Sequence, residues 1–254
     1  MSSLVLLVKI AVPPVLVAGM SLIARRWGPA IGGLIMGLPW MTGPVLFFLG
    51  LDRGDAFMLK AATGAVIAVV PIVGYMFGYA IMAGYAAWPL SFAVAAACFA
   101  ALASGVRLLD IGVVPATVIA LAALWLARTF LPKPKGPPVP VRLPSWDIPA
   151  RMAATFALVS VILTSADVLG GQLSGIMSSF PVVLTVIGTF THNQSGTDAV
   201  RAMLRAVTLS LVSFTVFFLT VGLTVPYVGV IGAYAAAVVA ALVLSASFLV
   251  RATR

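Results

Sequence analysis

The polar stretch GTFTHNQSGTDAV, residues 188–200, carries the only histidine of the chain, His192, followed by Asn193, Gln194 and Asp198. Imidazole titrates closer to neutral pH than any other side chain, so His192 is a candidate for coupling a movement to protons. A lone histidine between apolar segments also serves as a plain hydrogen-bonding group. Arg201 and Arg205 lie four residues apart and share one helix face, where they suit either an anionic substrate or anionic lipid headgroups. Asp198 suits a helix N-terminus, whose dipole stabilises a carboxylate.

All six acidic residues are aspartates, Asp52, Asp55, Asp110, Asp147, Asp167 and Asp198, and each falls at a predicted helix end. Cation carriers and proton pumps keep a carboxylate in mid-membrane, where only a charge can hold a cation or relay a proton. The pattern here favours an anionic or amphipathic organic solute instead. Asp167, beside Thr164 and Ser165, is the exception that could enter a sodium or proton site. The single Cys98 supplies neither an intrachain disulfide nor a cysteine metal cluster, and one histidine makes no zinc pair. No G-x-S-x-G nucleophile and no phosphate-cradling loop occurs. The expectation is a protein without catalytic residues, metal or cofactor, with coupling to Na⁺ or H⁺ left open. An intramembrane lipid-modifying enzyme is the minor alternative.

These residues are set in a chain that is 62% hydrophobic and only 8% charged, with a mean hydropathy of +1.18. Soluble domains carry about 25% charge. Runs of roughly 20 apolar residues cross a hydrocarbon core as helices, and their continuity excludes the alternation of a β-barrel. The sequence predicts an all-α integral membrane protein with nine spans, near residues 4–24, 30–50, 56–83, 88–105, 111–131, 148–167, 171–191, 198–223 and 228–250. Lys9, Pro13 and Pro14 lie inside the first run, which is therefore read as a helix rather than a signal peptide. Residues 132–147 are proline-rich and form an extended linker.

The halves match at an offset of 142 residues. Gly28, Gly33, Pro39, Phe48 and Gly54 correspond to Gly170, Gly175, Pro181, Phe190 and Gly196 without a gap. The expected layout is 4+1+4: a first repeat at 1–105, a connecting fifth helix at 106–131, the linker, and a second repeat at 148–254. Segments two and seven are five crossings apart, so the repeats are inverted. Placing the N-terminus outside puts 4 basic residues (Lys9, Arg53, Lys60, Arg107) on that side and the remaining 11 of the 15 on the other. The positive-inside rule makes the richer side cytoplasmic, in an inner (plasma) membrane. The net charge of +9 then reflects topology and lipid contact and needs no nucleic acid.

In each repeat a proline interrupts the second span, in GGLIMGLPWMTGP (32–44) and LSGIMSSFPVVLTV (173–186). Freed backbone groups at that depth must face protein or a water-filled cavity. The candidate substrate site is therefore Gly37, Pro39, Thr42, Gly43, Ser174, Ser178, Ser179, Pro181 and Thr185. The candidate gate or coupling groups are His192, Asn193, Gln194, Asp198, Arg201, Arg205, Asp55 and Lys60, in or flanking two polar loops at 50–55 and 192–198, together with Asp167 just before the second broken span. Small residues and hydroxyls also serve close helix packing, the plainer reading of such segments.

The layout resembles the inverted-repeat secondary transporters, the bile-acid sodium symporters among them. The stretch SSFPVVLTVIGTFTHNQSG is similar to bacterial inner-membrane proteins carrying F-P and F-T-H-x-Q-x-G elements. The resemblance covers the second repeat and its GLPWMTGPVLFFLGLDRG counterpart in the first, and it implies alternating access about a midplane site. The expected partners are a small-molecule solute and membrane lipids, with a homodimer left open. A lipid or polyprenyl-phosphate flippase and a non-transporting scaffold are the alternatives.

Overall fold

A computed structural model describes the backbone of residues 3–36, 38–40, 42–136, 144–178 and 180–252, and the side chains of these except 3–10, 29–30, 163–178 and 249–252. Among the described residues every regular element is a helix: α1 Ser3–Trp27, α2 Pro29–Met36, α3 Thr42–Arg53, α4 Asp55–Ile67, α5 Val69–Met82, α6 Trp88–Val106, α7 Val113–Phe130, α8 Asp147–Ser178 and α9 Val182–Ala252. The last bends at Gly196 and Gly229 into three segments, 182–195, 197–228 and 230–252. Four helical stretches among the described residues are long and apolar enough to cross a membrane, Asp55–Met82, Trp88–Val106, Val113–Phe130 and Val182–Phe248.

Proline decides most of the joints. Pro29 follows the Gly28 joint between α1 and α2, and Pro71 sits three residues beyond the α4–α5 joint at Ala68, where its missing N–H leaves the helical ladder incomplete. The sequence predicts a boundary between residues 167 and 171 as well, but α8 runs on to Ser178. No proline lies between Pro149 and Pro181, so nothing interrupts the ladder at the place matching Gly28.

The breaks at Pro39 and Pro181 have the same backbone geometry. Trp40 N–H donates to Leu38 O at 2.8 Å and Gly43 N–H to Pro39 O at 2.9 Å; Val182 N–H donates to Phe180 O at 2.9 Å and Thr185 N–H to Pro181 O at 2.9 Å. Each atom has its counterpart 142 residues on. A tight turn followed at once by a new helical ladder is how the chain passes a proline without stranding its carbonyls.

The two polar loops expected at 50–55 and 192–198 are not loops. Helix α3 continues to Arg53 and α4 begins at Asp55, while α9 is helical on both sides of Gly196. Each joint is one glycine, Gly54 at φ 82°, ψ −179° and Gly196 at φ 81°, ψ −179°. That region is open essentially to glycine alone, so at each joint one residue redirects the helix without a loop being unwound.

Helix α2 lies against the second segment of α9 at a close crossing. A β-carbon on Gly33 would stand 2.5 Å from the Met203 carbonyl oxygen and 3.0 Å from Ala206 Cβ. Gly33→Ala is therefore expected to cost about 1–3 kcal/mol, because backbone must move to admit it. A lowered unfolding midpoint of the purified protein would register the loss, and an unchanged midpoint would mean the helices are not so close. The outward faces of α7 and of the final segment of α9 are exposed and apolar, with Val118, Trp125, Ile231, Val239 and Val243 all more than half exposed.

Candidate functional site

Each proline break is enclosed by aromatic rings from the other half of the chain. At the first, Gly43 is buried and its carbonyl accepts the Tyr234 hydroxyl at 3.1 Å. The Tyr234 ring meets Phe47 at 4.9 Å and Phe217 at 5.4 Å. At the second, Phe180 lies edge-on to Tyr75 at 5.9 Å, Phe92 at 6.4 Å and Phe99 at 5.3 Å. Tyr75 and Phe217 are 142 residues apart, and so are Phe92 and Tyr234. Pro39, Thr42 and Pro181 are half-buried beside these rings. Gly37 and Ser179 lie outside the described residues, as do the side chains of Asp167, Ser174 and Ser178.

Thr185 is the best placed of the expected site residues. It is 4% exposed and neighbours the Tyr75 hydroxyl, itself on a residue 1% exposed. Among the described residues the two oxygens have no well-aligned hydrogen-bond partner, only each other as polar neighbours. Buried hydroxyls without partners cost roughly 1–3 kcal/mol each, which a polar visitor would recover.

Thr185 also lines a groove of about 240 Å³ between the start of α6, α8 and the first segment of α9. Thr185, Thr189 and Asn193, spaced by four, place a polar stripe along it; Trp88, Phe92, Leu158 and Phe190 supply apolar walls. Thr189 was not among the expected site residues. The i, i+4 spacing was its signal, hidden by the expected loop from 192 onward.

The next turn of α9 reaches a buried ion cluster. Asp147, fully buried at the first residue of α8, accepts Arg25 Nη2 at 2.7 Å and Arg151 Nε at 2.9 and 3.0 Å. Gln194 Nε2 donates to the same carboxylate, and Gln194 Oε1 accepts Arg151 Nη2 at 3.0 Å. The Arg151 guanidinium also stands 5.0 Å from the centre of the Phe190 ring. The cluster thus joins the end of α1, the start of α8 and the end of the first α9 segment. Of its four members only Gln194 was expected at a site. The i, i+4 spacing of Asp147 and Arg151 was legible, but the distance to Arg25 was not.

His192, expected in a wet loop, is on the helix and 8% exposed. Its Nδ1 lies 3.4 Å from the Tyr79 hydroxyl and its Nε2 3.5 Å from Thr197 Oγ1. Tyr75 and Tyr79, four apart on α5, thus face Thr185 and His192 in turn. Arg201 and Arg205, expected to meet lipid or substrate, close helix C-termini. Arg201 Nε donates to Ala80 O at 3.2 Å, Thr197 Oγ1 to Ala83 O at 2.8 Å, and Arg205 Nη1 to Leu131 O at 2.7 Å. Carbonyls in the last turn have no helical partner and attract cations. Asp198, expected as a helix cap, accepts the backbone N–H of Lys135 in the linker at 3.1 Å. Asn193, Asp55 and Lys60 are exposed.

No protein-family model, curated protein or solved structure matches this chain. Any reading of function therefore rests on the geometry. Among the described residues no group of three or more His, Cys, Asp or Glu side chains is placed to hold a metal ion.

Proposed function

We propose that this chain is an integral membrane carrier built as two inverted repeats, moving a small organic anion or amphipathic solute by alternating access. The observation that carries the reading is the repetition, 142 residues apart, of the proline break, its two hydrogen bonds, its glycine joint and its enclosing aromatic pair. Two broken helices, each clasped by the opposite half, are what a rocking pair of repeats about a central site requires. The exposed apolar faces of α7 and α9 suit acyl chains. The solute's polar end meets Thr185, with the Tyr75 hydroxyl behind it, and its apolar part follows the groove. Cytoplasmic placement of the C-terminus rests on the excess of basic residues there.

A lipid-phosphate flippase is the second reading. The groove walls are mostly apolar, and α6 rests only lightly on α8, so a chain could enter from the side. The test is thermal unfolding of the purified protein against a panel of organic anions and of lipid phosphates. For the carrier, a soluble anion at a hundredfold excess over its Kd raises the midpoint by about 5–10 °C, and Thr185→Val removes the effect. Stabilisation by lipid phosphates alone selects the flippase. No response to either panel, or reporter fusions that place both chain ends in one compartment, overturns the proposal.

A further inference from the structure

The ion cluster borders a second, smaller cavity of about 50 Å³, lined by Ser21, Arg25, Arg151, Thr191 and Ser195, with Met36 and Ile187 bringing the two broken helices to its wall. Two guanidiniums face one carboxylate here, so the site carries one positive charge in excess. Each guanidinium has five N–H donors in a fixed fork, more than Asp147 and Gln194 accept from it. Ser21 is 2% exposed and its hydroxyl has no hydrogen-bond partner among the described residues, although a serine in a helix ordinarily bonds back to its own turn. A buried donor without a partner beside an uncompensated positive charge is the signature of a missing acceptor.

We infer that this cavity binds a small monovalent anion, a carboxylate group or a halide, between Arg25, Arg151 and the hydroxyls of Ser21, Thr191 and Ser195. The space takes in a group of a few atoms and is partly open on one side. The site lies apart from Thr185 and Tyr75 and does not depend on carriage, because it follows from charge and burial alone. Bound there, the anion ties α1 and α8 to the first segment of α9. It therefore strengthens the join between the halves on the face that holds Arg25 and Arg151.

The experiment is thermal unfolding of the full chain in detergent with sodium formate or sodium chloride, against sodium gluconate at equal ionic strength. Formate or chloride is expected to stabilise saturably, and gluconate, whose six-carbon chain exceeds the space beyond its carboxylate, much more weakly. Ser21→Ala is expected to weaken the apparent affinity about tenfold, the size of one hydrogen bond to a charge. Ser21→Asp supplies a tethered carboxylate. It is expected to raise the midpoint without added anion and to abolish the response to formate. Equal effects of gluconate and formate, or a Ser21→Asp protein that melts lower than the parent, would mean that the cavity holds water alone and would overturn the assignment. If Ser21→Asp cannot be purified, an unchanged formate response in both Ser21→Ala and Ser195→Ala has the same force. Solute stabilisation through Thr185 is measured separately, so either result stands without the other.

Discussion

Asp147→Ala is expected to lower the stability of the protein by about 3–5 kcal/mol, because it leaves the buried Arg151 guanidinium without its carboxylate. Arg25 keeps 27% of its side chain exposed and can turn toward water, whereas Arg151 keeps 5% and cannot. The double variant Asp147→Ala, Arg151→Met should recover much of the loss, since it removes both charges rather than one. Additive losses in the double variant would show that the two side chains are not coupled. The same cluster gives a direction in pH. Asp147 is the first residue of α8, ahead of the apolar run. Burial alone would raise its carboxyl, but hydrogen bonds from Arg25, Gln194 and Arg151 outweigh that and hold it below the ordinary value. Its stabilisation is therefore complete above the unfolded value of about 4 and disappears as the pH falls through the lower folded value. Unfolding midpoints measured from pH 7 downward should show a loss at acid pH that the double variant lacks.

Tyr75→Phe and Thr185→Val are expected to do the opposite of ordinary core substitutions. Each removes a buried hydroxyl whose polar neighbour among the described residues is the other, poorly aligned member of the pair, so each should leave stability unchanged or raise it by at most about 1 kcal/mol. Solute-dependent stabilisation should fall at the same time, by about ten- to a hundredfold in apparent affinity if the hydroxyl meets a charged group. Gain in stability with loss of binding separates a site from a packing position, where both would fall together. A Tyr75→Phe protein that melted several degrees lower would place that hydroxyl in the structural core instead. Tyr79→Phe is the control, because its hydroxyl already lies near His192.

What could be read from the sequence alone was whatever depends on neighbours along the chain. Long apolar runs become helices because each peptide group must bond within its own segment. Pro39 and Pro181 break them because proline has no N–H to give, and Gly54 and Gly196 are both joints at the offset the sequence shows. The same local reasoning failed where polarity was taken for a loop. Residues 192–195 remain helical, because a polar residue can stay in a helix if another helix offers it a partner, as Tyr79 does for His192 and Asp147 for Gln194.

Those partners were the decision of the tertiary structure. Arg25 and Asp147 are 122 residues apart, Tyr79 and His192 113, Tyr234 and Gly43 191. No periodicity or spacing specifies such a meeting; the packing of one half into the other does. Arg201 and Arg205 make the same point, since two cations suited to lipid or substrate were drawn to unpaired carbonyls at the ends of α5 and α7. The sequence by itself determined where the helices run and where they break, because covalent geometry and backbone hydrogen bonding act over a few residues. Which charges are buried, and which hydroxyls are left waiting for an acceptor, was settled only when distant segments excluded water from one another.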